Sequence, residues 1–431
     1  MGVDDPRGVE RLGGDSSGCS RVDAGLIEQH FRAHWWPAVA SVTRLVGDLA
    51  TAEDAVQEAY LAAAVQWPAQ GAPANPRAWL IGVARHKALD TIRRDVRRRE
   101  KESAAAITVG PAPGSSSSAD PMTDHDQLGL IFMCAHPALD LPSQVALTLR
   151  SLCGLSSTEI AALFLVPEAT MAKRLTRAKR KIRDTGIRLR VPEPELLGER
   201  LAGVLRVIYL VFTEGHKAST GTQLVRGQLC DLGIDLARGL ARLLPAEPEV
   251  AGLVALLLLV DARRVARTDD VGRLVLLEDQ DRTRWNKNMI REGERLLEQA
   301  LRSGRPGPYQ LHAAIAACHS TAPRAEDTDW RQIVLLYGEL LRYEPNPVVE
   351  ANRAIAVAMS DNPSTGLEIL DRLRGHPQLR DWPHLHIARA DLLRRLARAP
   401  EAIDAYRTAL RLPLTAAEQT FVTERINQLA G

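Results

Sequence analysis

SSTEIAALFLVPEATMAKRLTRAKRKIR, residues 156–183, contains two short helical patterns separated by a turn. Ser156 and Glu159 have the spacing of a capping box, in which each side chain accepts a hydrogen bond from the other residue's backbone N–H. Pro167 then favours the start of a second helix. One face of that second helix is apolar and consists of Met171, Leu175, Ala178 and Ile182. The stretch therefore predicts a helix-turn-helix, whose second helix enters the DNA major groove.

The remaining surface of the second helix is rich in cations. Its N-terminal residues are predicted to contact base edges, and these are Glu168, Ala169, Thr170, Lys173 and Arg174. Cations further along are predicted to hold phosphates, and these are Arg177, Lys179, Arg180 and Lys181. The competing interpretation is a plain pair of helices with a solvated charged face.

A second basic segment lies upstream. Residues 77–101 contain nine Arg and Lys against three Asp and Glu, and residues 168–190 contain nine against two. The whole chain of 431 residues has a net charge of only +2, so the rest of it is acidic. Two basic segments on an acidic body indicate two separate contacts with a polyanion.

The upstream segment reads PRAWLIGVARHKALDTIRRDVRRRE over residues 76–100, with Pro76 placed for a helix start. Trp79, Leu80 and Ala84 mark its apolar face, and its dense arginines suit a phosphate backbone. The alternative is a self-repelling exposed helix. An amphipathic helix precedes it, TAEDAVQEAYLAAAVQW from Thr51, for which Thr51 and Asp54 predict the cap. Its polar side chains, predicted to lie on solvated faces, are Glu53, Asp54, Gln57 and Glu58.

Three strings in this order, HFRAHWWPAVASVTRLVGD (30–48), AEDAVQEAYLAA (52–63) and NPRAWLIGVARHKALDTIRR (75–94), resemble the promoter-melting domain of extracytoplasmic-function sigma factors of the sigma-70 family. The helix-turn-helix resembles the −35-binding domain of the same family. The resemblance implies that Asp54, Gln57 and Glu58 bind the β′ clamp helices of core RNA polymerase, whose β flap is a further contact. It also implies that the −10 element of promoter DNA is contacted by Asn75, Arg77, Arg85, His86, Lys87, Asp90, Arg93 and Arg94.

The expected fold is all-α. Aromatic residues are few, which favours helix packing, and the sequence has helical periodicity and no convincing run of the alternating pattern typical of strands. The predicted organisation is a disordered N-terminus (1–22), sigma region 2 (23–101), a Gly/Pro/Ser-rich linker (102–123), sigma region 4 (124–190) and a helical C-terminal domain (195–431). In that last domain Ala354 aligns with Ala390, Gly366 with Ala402 and Leu370 with Tyr406, which gives a 36-residue period near 345–412. The pattern is similar to tetratricopeptide repeats.

The C-terminal half contains ERLAGVLRVIYLVFTEGH, LLLLVDARRVART, LLEDQDRTRW and PYQLHAAIAACH. These strings resemble the sigma-factor subfamily with a tetratricopeptide-like (DUF6596-type) extension. The resemblance implies a regulatory or interaction domain and a small YCII-like protein as a partner. An enzyme is the rival for this half, with polar candidates Glu214, His216, Asp261, Glu278, Asp279, Asp281 and His312. No metal pair, phosphate loop, cofactor site or cysteine pair stands out, so no catalytic activity, cofactor or metal is expected.

Taken together, the sequence predicts a cytoplasmic sigma factor that binds core polymerase, recognises −35 and −10 elements and melts DNA. No signal peptide or 18-residue apolar run is present in the sequence. Two other functions are considered. One is a conventional helix-turn-helix regulator with a repeat-type sensor domain, which has no use for residues 26–100. The other is a repeat scaffold with incidental basic helices.

Overall fold

The computed structural model describes residues 34–103, 124–164, 166–216, 227–269 and 273–430. Within these ranges the regular structure is helical, and the one β pairing is a single antiparallel bridge between Thr268 and Leu274. The all-α prediction is therefore confirmed. Among the described helices, none combines the length and apolarity that a bilayer crossing requires. The predicted disordered N-terminus (1–22) and nearly all of the predicted linker (102–123) lie outside the described residues.

The chain forms two compact units. Of the described residues, the first comprises 34–103, 124–134, 146–160 and 171–192, and the second comprises 135–145, 161–164, 166–170, 193–216, 227–269 and 273–430. The helices up to residue 184 are α1 (described from 34 to 46), α2 (Leu49–Gln70), α3 (Pro76–Ser103), α4 (Asp124–Cys134), α5 (Leu141–Ser151), α6 (Ser157–Leu163) and α7 (Glu168–Asp184).

Helix α2 begins three residues earlier than the sequence pattern suggested. Asp48 is its N-cap, and one Asp48 carboxylate oxygen accepts hydrogen bonds from the Thr51 backbone N (2.9 Å) and the Thr51 hydroxyl (2.7 Å). The cap predicted from Thr51 and Asp54 is therefore wrong, because the aspartate ahead of Leu49 satisfies the free N–H groups first. Helix α3 packs on α2, with the Trp67 and Trp79 ring centroids 5.5 Å apart.

The capping box at Ser156 and Glu159 is confirmed. The Ser156 N–H donates to a Glu159 carboxylate oxygen (2.7 Å), and the Glu159 N–H donates to the Ser156 hydroxyl (3.1 Å). Helix α7 follows Pro167, and its predicted apolar stripe from Met171 to Ile182 is buried. Local sequence therefore fixes both helices of the predicted helix-turn-helix, since caps and stripe act within a few residues.

The second unit is a succession of helices in which neighbours in sequence pack on each other. They are α8 (Pro194–His216), α9 (Gly227–Leu243), α10 (Pro248–Asp261), α11 (Lys287–Leu301), α12 (Pro308–Thr321), α13 (Trp330–Tyr343), α14 (Pro347–Ser360), α15 (Pro363–Leu373), α16 (Pro383–Arg395), α17 (Ala399–Leu410) and α18 (Ala416–Ala430). Helix α10 is buried on all sides, because α8, α9, α11 and α12 pack around it. Its run of leucines is therefore a core helix, as a helix that is apolar all round requires.

The last part of this unit repeats with the period found in the sequence. Helices α14 and α16 begin at Pro347 and Pro383, and helices α15 and α17 begin at Pro363 and Ala399, so each pair is offset by 36 residues. The equivalent positions Ala354, Ala390, Gly366, Ala402, Leu370 and Tyr406 are all buried. Small residues let the two helices of a pair approach closely, as stacked helical repeats require.

Gly366 is the closest of these helix contacts. A Cβ built on it would overlap Ala358 and lie 2.5 Å from the carbonyl oxygen of Ala354. Alanine at this position would have to push α14 and α15 apart, which typically costs about 1–3 kcal/mol. We expect Gly366→Ala to lower the Tm of the full chain by several degrees, measured by circular dichroism.

Gly338 in α13 is the matched control, since a Cβ there has no atom within 4 Å. Gly338→Ala should leave Tm unchanged or raise it, because alanine stabilises a helix over glycine by about 0.5–1 kcal/mol. Equal effects of the two substitutions would contradict the close packing of α14 and α15.

Candidate nucleic-acid interface

Helix α7 presents a cationic face. Lys173 and Arg177 are exposed and Arg174 is partly exposed, and these side chains form no ion pair with any other described residue. Lys181 continues the same exposed row, and Glu168, Ala169 and Thr170 are exposed at the N-terminal end. Cations that lack an acidic partner within the described chain keep their full charge for an external anion. All nine residues that the sequence predicted for DNA contact lie on this one helix.

Lys179 has a different role from the one predicted for it. Its side chain is only 18% exposed, and its Nζ lies 2.6 Å from a carboxylate oxygen of Glu53. The predicted phosphate contact of Lys179 is therefore not supported, because its charge is already neutralised inside the protein. Glu53, which was expected on a solvated face, is fully buried. The helix pattern could not separate Glu53 from Asp54, since both are acidic residues in an amphipathic helix.

The Glu53 carboxylate is surrounded by donors from distant parts of the chain. Arg150 Nε lies 3.4 Å from it, and the Ser151 hydroxyl donates a 2.5 Å hydrogen bond. Together with Lys179 these contacts satisfy a buried charge that would otherwise be strongly unfavourable. Cys134 lies beside the cluster, where burial and then the Glu53 charge raise the pKa of its thiol to about 12. This thiol therefore stays protonated and acts as a small apolar side chain.

Further contacts surround this cluster within the first unit. The Trp35 indole N–H donates to the Ser151 carbonyl oxygen at 3.1 Å. Arg44 lies 3.3 Å from the nearly buried Asp126, and the Trp36 indole N–H donates to the carbonyl oxygen of Gln127. Residues of α1 and α2 are thus joined to α4, α5 and α7 through polar bonds of defined geometry.

Helix α3 carries the upstream basic residues. Asp90 lies 3.4 Å from His86 and 3.5 Å from Arg93, and Arg94 donates to the Thr91 hydroxyl. Most of the predicted side chains are at least partly exposed, and these are Arg77, Arg85, His86, Lys87, Asp90, Arg93 and Arg94. Asp90 thus orients cations on the α3 surface while leaving a cationic face. Trp79 is partly buried against Trp67, in agreement with a core role.

Asn75 is placed by the backbone of α3. Its side-chain oxygen accepts from the Ala78 N–H at 3.0 Å, and its carbonyl oxygen accepts from the Trp79 N–H. The side chain therefore caps the helix, and its amide group can still donate to a ligand.

The predicted polymerase-binding residues lie on the exposed side of α2. Asp54 and Glu58 are exposed and Gln57 is partly exposed, with Glu58 3.3 Å from Lys87 of α3. The same side of α2 carries two exposed apolar residues that the sequence analysis did not single out, Leu61 (68% exposed) and Val65 (77% exposed). With Asp54 and Glu58 they recur every three or four residues and form one ridge, and their apolar character was the signal that could have identified it.

The second unit contains three metal-ligand types close together, which the sequence did not indicate. Atoms of the buried His216, Cys230 and Asp261 lie within 4.8 Å of one another. However, the two carboxylate oxygens of Asp261 accept from Arg264 at 2.8 and 2.6 Å. The guanidinium already supplies the positive charge that a metal would bring, and burial raises the pKa of the Cys230 thiol to about 12. A structural ion pair accounts for this cluster.

Other polar residues of the C-terminal half, raised above as catalytic candidates, also form ion pairs. Glu278 binds Arg395 at 2.9 Å, and His312 lies 3.5 Å from Glu344. Asp281 caps the short helical turn that begins at Arg282. These contacts connect or terminate helices, and they do not converge on a shared reaction centre.

Comparison with known families places three matches along the chain. Residues 31–98 match sigma-70 region 2, and residues 130–182 match sigma-70 region 4. Residues 200–301 match a family of unknown function, DUF6596.

Two curated proteins are similar to this chain in sequence. An uncharacterized protein of Rhizobium meliloti, R00370, is 42% identical over 414 residues, which is 95% of this chain and 97% of that protein. A probable ECF RNA polymerase sigma factor, SigI of Mycobacterium tuberculosis, is 33% identical over 163 residues, which is 37% of this chain and 56% of that protein. Among solved structures, yeast Tom70 aligns over 97% of this chain and 89% of its own, with a TM-score of 0.35 and 13% identity.

The ion pair at Glu53 gives a direct stability prediction. Lys179→Met would leave the buried carboxylate without its closest cation, and breaking such a pair typically costs about 3 kcal/mol. We expect a clear fall in the Tm of the first unit, followed by circular dichroism or by the rate of limited proteolysis.

Lys181→Met is the matched control on the same helix, two residues away and exposed. It removes the same charge without a buried partner, so its effect should stay within about 0.5 kcal/mol. If both variants melted alike, Lys179 would not be stabilising Glu53.

Proposed function

Because the chain belongs to the sigma-70 family, in its extracytoplasmic-function form with a C-terminal extension, we propose that it directs promoter-specific transcription initiation. It binds core RNA polymerase, recognises −35 and −10 elements and melts the promoter DNA. The proposal includes a cytoplasmic location, where the polymerase acts. Proteins of this family are initiation factors and not enzymes, and no catalytic role is assigned to any residue.

Recognition of the −35 element is assigned to α7, and one observation carries it. The row formed by Lys173, Arg174, Arg177 and Lys181 keeps its charge, whereas Lys179 on the opposite side is neutralised within the protein. The cations without an ion pair and the neutralised Lys179 thus lie on different faces of a single helix of 17 residues. The N-terminal residues Glu168, Ala169 and Thr170 supply short polar and apolar groups to base edges, and the cations beyond them hold phosphates.

Recognition and melting of the −10 element are assigned to α3 and the turn before it. Asn75 stands at the start of the helix with amide donors directed outward from the capping bond. Arg77, Arg85 and Lys87 line the following turns, and Arg93 and Arg94 extend the cationic face. Unpaired bases and their phosphates are held by this combination of hydrogen-bond donors and cations.

Core binding is assigned to the exposed ridge of α2, Asp54, Glu58, Leu61 and Val65, with Gln57 beside it. An exposed apolar pair next to two carboxylates is typical of a protein-binding surface with charge specificity, because apolar contact supplies affinity and charge selects the partner. The β′ clamp helices are the proposed partner. The β flap and the small YCII-like partner stay predictions, since no described contact bears on them.

The DNA-binding part of the proposal predicts a selective loss. Arg174→Glu together with Arg177→Glu reverses two charges on the α7 face and repels phosphate. We expect promoter-dependent transcription in vitro with core polymerase to fall at least tenfold while binding to core polymerase, measured by native gel shift, is retained.

Lys287→Glu reverses one exposed charge at the start of α11, outside α7, and this control should leave transcription unchanged. Absence of promoter-dependent initiation by the unmodified chain at any genomic site would overturn the sigma-factor function. Sequence-specific duplex binding without polymerase would instead identify a conventional helix-turn-helix regulator.

The polymerase-binding role proposed for the α2 ridge predicts that substitutions there weaken binding to core polymerase. Asp54→Lys with Leu61→Ser removes one charge and one apolar contact from the ridge, both at exposed positions that do not affect folding. We expect at least a tenfold weaker affinity for core polymerase, measured by fluorescence anisotropy, with the same Tm as the unmodified chain. Undiminished core binding would show that polymerase binds elsewhere.

A further inference from the structure

Five residues at the end of α10 and just beyond it, 263–267, contain three arginines with very different surroundings. Arg264 is fully neutralised, because it binds Asp261 at 2.6 Å and Asp231 at 2.7 Å. Its neighbour Arg263 forms neither a hydrogen bond nor an ion pair with any residue in the described ranges. Arg263 is partly exposed, so its five N–H donors keep access to water but have no acceptor within the described protein.

Arg267 and Arg282 are hydrogen-bonded, but to neutral groups. Arg267 is 8% exposed and donates to the carbonyl oxygen of His216. Arg282 donates to the carbonyl oxygens of His319 (2.6 Å) and Ala322 (2.8 Å), and its guanidinium carbon lies 4.5 Å from the centroid of the Trp285 ring. Neither arginine makes an ion pair with a described carboxylate, so both retain a net positive charge.

Backbone contacts bring these arginines together with His319. The Asn286 N–H donates to the Ala262 carbonyl oxygen at 2.8 Å, which holds the segment from Arg282 to Trp285 against the end of α10. The Ser320 hydroxyl donates to the Leu259 carbonyl oxygen, which holds the end of α12 there as well. His319 Nδ1 is buried and has no hydrogen-bond partner among the described residues. Arg263, Arg267, Arg282 and His319 are called the arginine cluster below.

The electrostatics of the arginine cluster are those of a net positive site whose charge is offset only in part by nearby carboxylates. Burial, with repulsion from Arg267 and Arg282, lowers the pKa of Arg263 to about 10. Burial also lowers the pKa of Arg267 to about 10. Burial, with repulsion from Arg263 and Arg282, lowers the pKa of His319 to about 4, so its ring is neutral near pH 7.

The nearest carboxylates offset part of the charge of Arg267 and Arg282, although each of them also has a partner of its own. Asp261 is held by Arg264, Glu418 by Thr415 and His384, and Asp327 by Arg324. The carbonyls at the C-terminal ends of α10 and α12 contribute only about half a negative charge each, which does not balance three guanidinium groups. The positive charge that remains on these three arginines favours an external anion here.

We propose that the arginine cluster is a binding site for a small oxyanion of phosphate chemistry, either free phosphate or a phosphate monoester. A planar guanidinium matches the oxygen geometry of phosphate through paired hydrogen bonds, and a dianion balances more of the positive charge than a single carboxylate does. Arg263, Arg282 and His319 are partly exposed and therefore accessible to a ligand, while Arg267 is buried. The site belongs to the C-terminal domain and is independent of the DNA- and polymerase-binding roles proposed above.

The test is phosphate binding by the full chain, measured by isothermal titration calorimetry and by Tm at constant ionic strength maintained with chloride. Inorganic phosphate and glycerol 3-phosphate are the two probes. Binding of only one of them would show whether the ligand is free phosphate or a phosphate monoester. We expect saturable binding by the unmodified chain and a Tm that rises with ligand concentration. Arg263→Gln, which keeps size and polarity but removes charge, should weaken binding at least tenfold.

Arg302→Gln is the matched control, because this arginine lies in the same domain with an 80% exposed side chain. It should bind phosphate as the unmodified chain does. Non-specific binding to the basic faces of α3 and α7 would persist in Arg263→Gln, so equal binding by both variants would overturn the proposal. A second variant, Arg282→Gln, must also lose affinity, and far-UV circular dichroism verifies that both variants are folded.

Discussion

One buried carboxylate organises the first unit. Glu53 lies in the middle of α2, and it is neutralised by Lys179 from α7 and Arg150 from α5 while Ser151 donates a hydrogen bond. A charge without exposure must have all of these partners in place together, because losing any of them leaves an ion in a medium of low polarity. The positions of α2, α5 and α7 are therefore interdependent, and the rest of the unit is arranged around this requirement. In the family's terms, region 2 and region 4 meet at Glu53.

The sequence predicted those features that depend on a few neighbouring residues. The Ser156–Glu159 capping box, the stripe from Met171 to Ile182 and the all-helical fold are confirmed, since caps and periodicity act locally. The 36-residue spacing could also be predicted from the sequence, because the small residues Gly366 and Ala402 mark positions where two helices pack closely. The assignments of individual residues to polymerase and promoter stay predictions, and they derive from the resemblance to a family more than from the pattern.

What the sequence could not supply depends on pairs that are far apart in the chain. Glu53 and Asp54 are indistinguishable in an amphipathic pattern, yet one is buried against residues about a hundred positions away and the other is exposed. Lys179 and Lys181 differ in the same way. Arg263 and Arg264 are adjacent and chemically identical, and only the fold gives Arg264 two carboxylates and Arg263 none. The same residue type thus serves as a structural ion or as a free charge according to tertiary context.

The burial of Glu53 also separates two kinds of electrostatics within α7. At physiological ionic strength, mobile ions screen the interactions of water-exposed charges beyond a distance of about 8 Å. Protein binding to DNA weakens steeply as the salt concentration rises. Mobile ions do not reach an ion pair that is enclosed by protein, such as that of Glu53 and Lys179. Rising salt would therefore detach the outward face of α7 from nucleic acid while the inward face stays joined to α2. If α7 binds DNA as proposed, the helix combines a salt-responsive side with a salt-indifferent one, and a rise in ionic strength weakens its DNA contact while its contact with α2 remains.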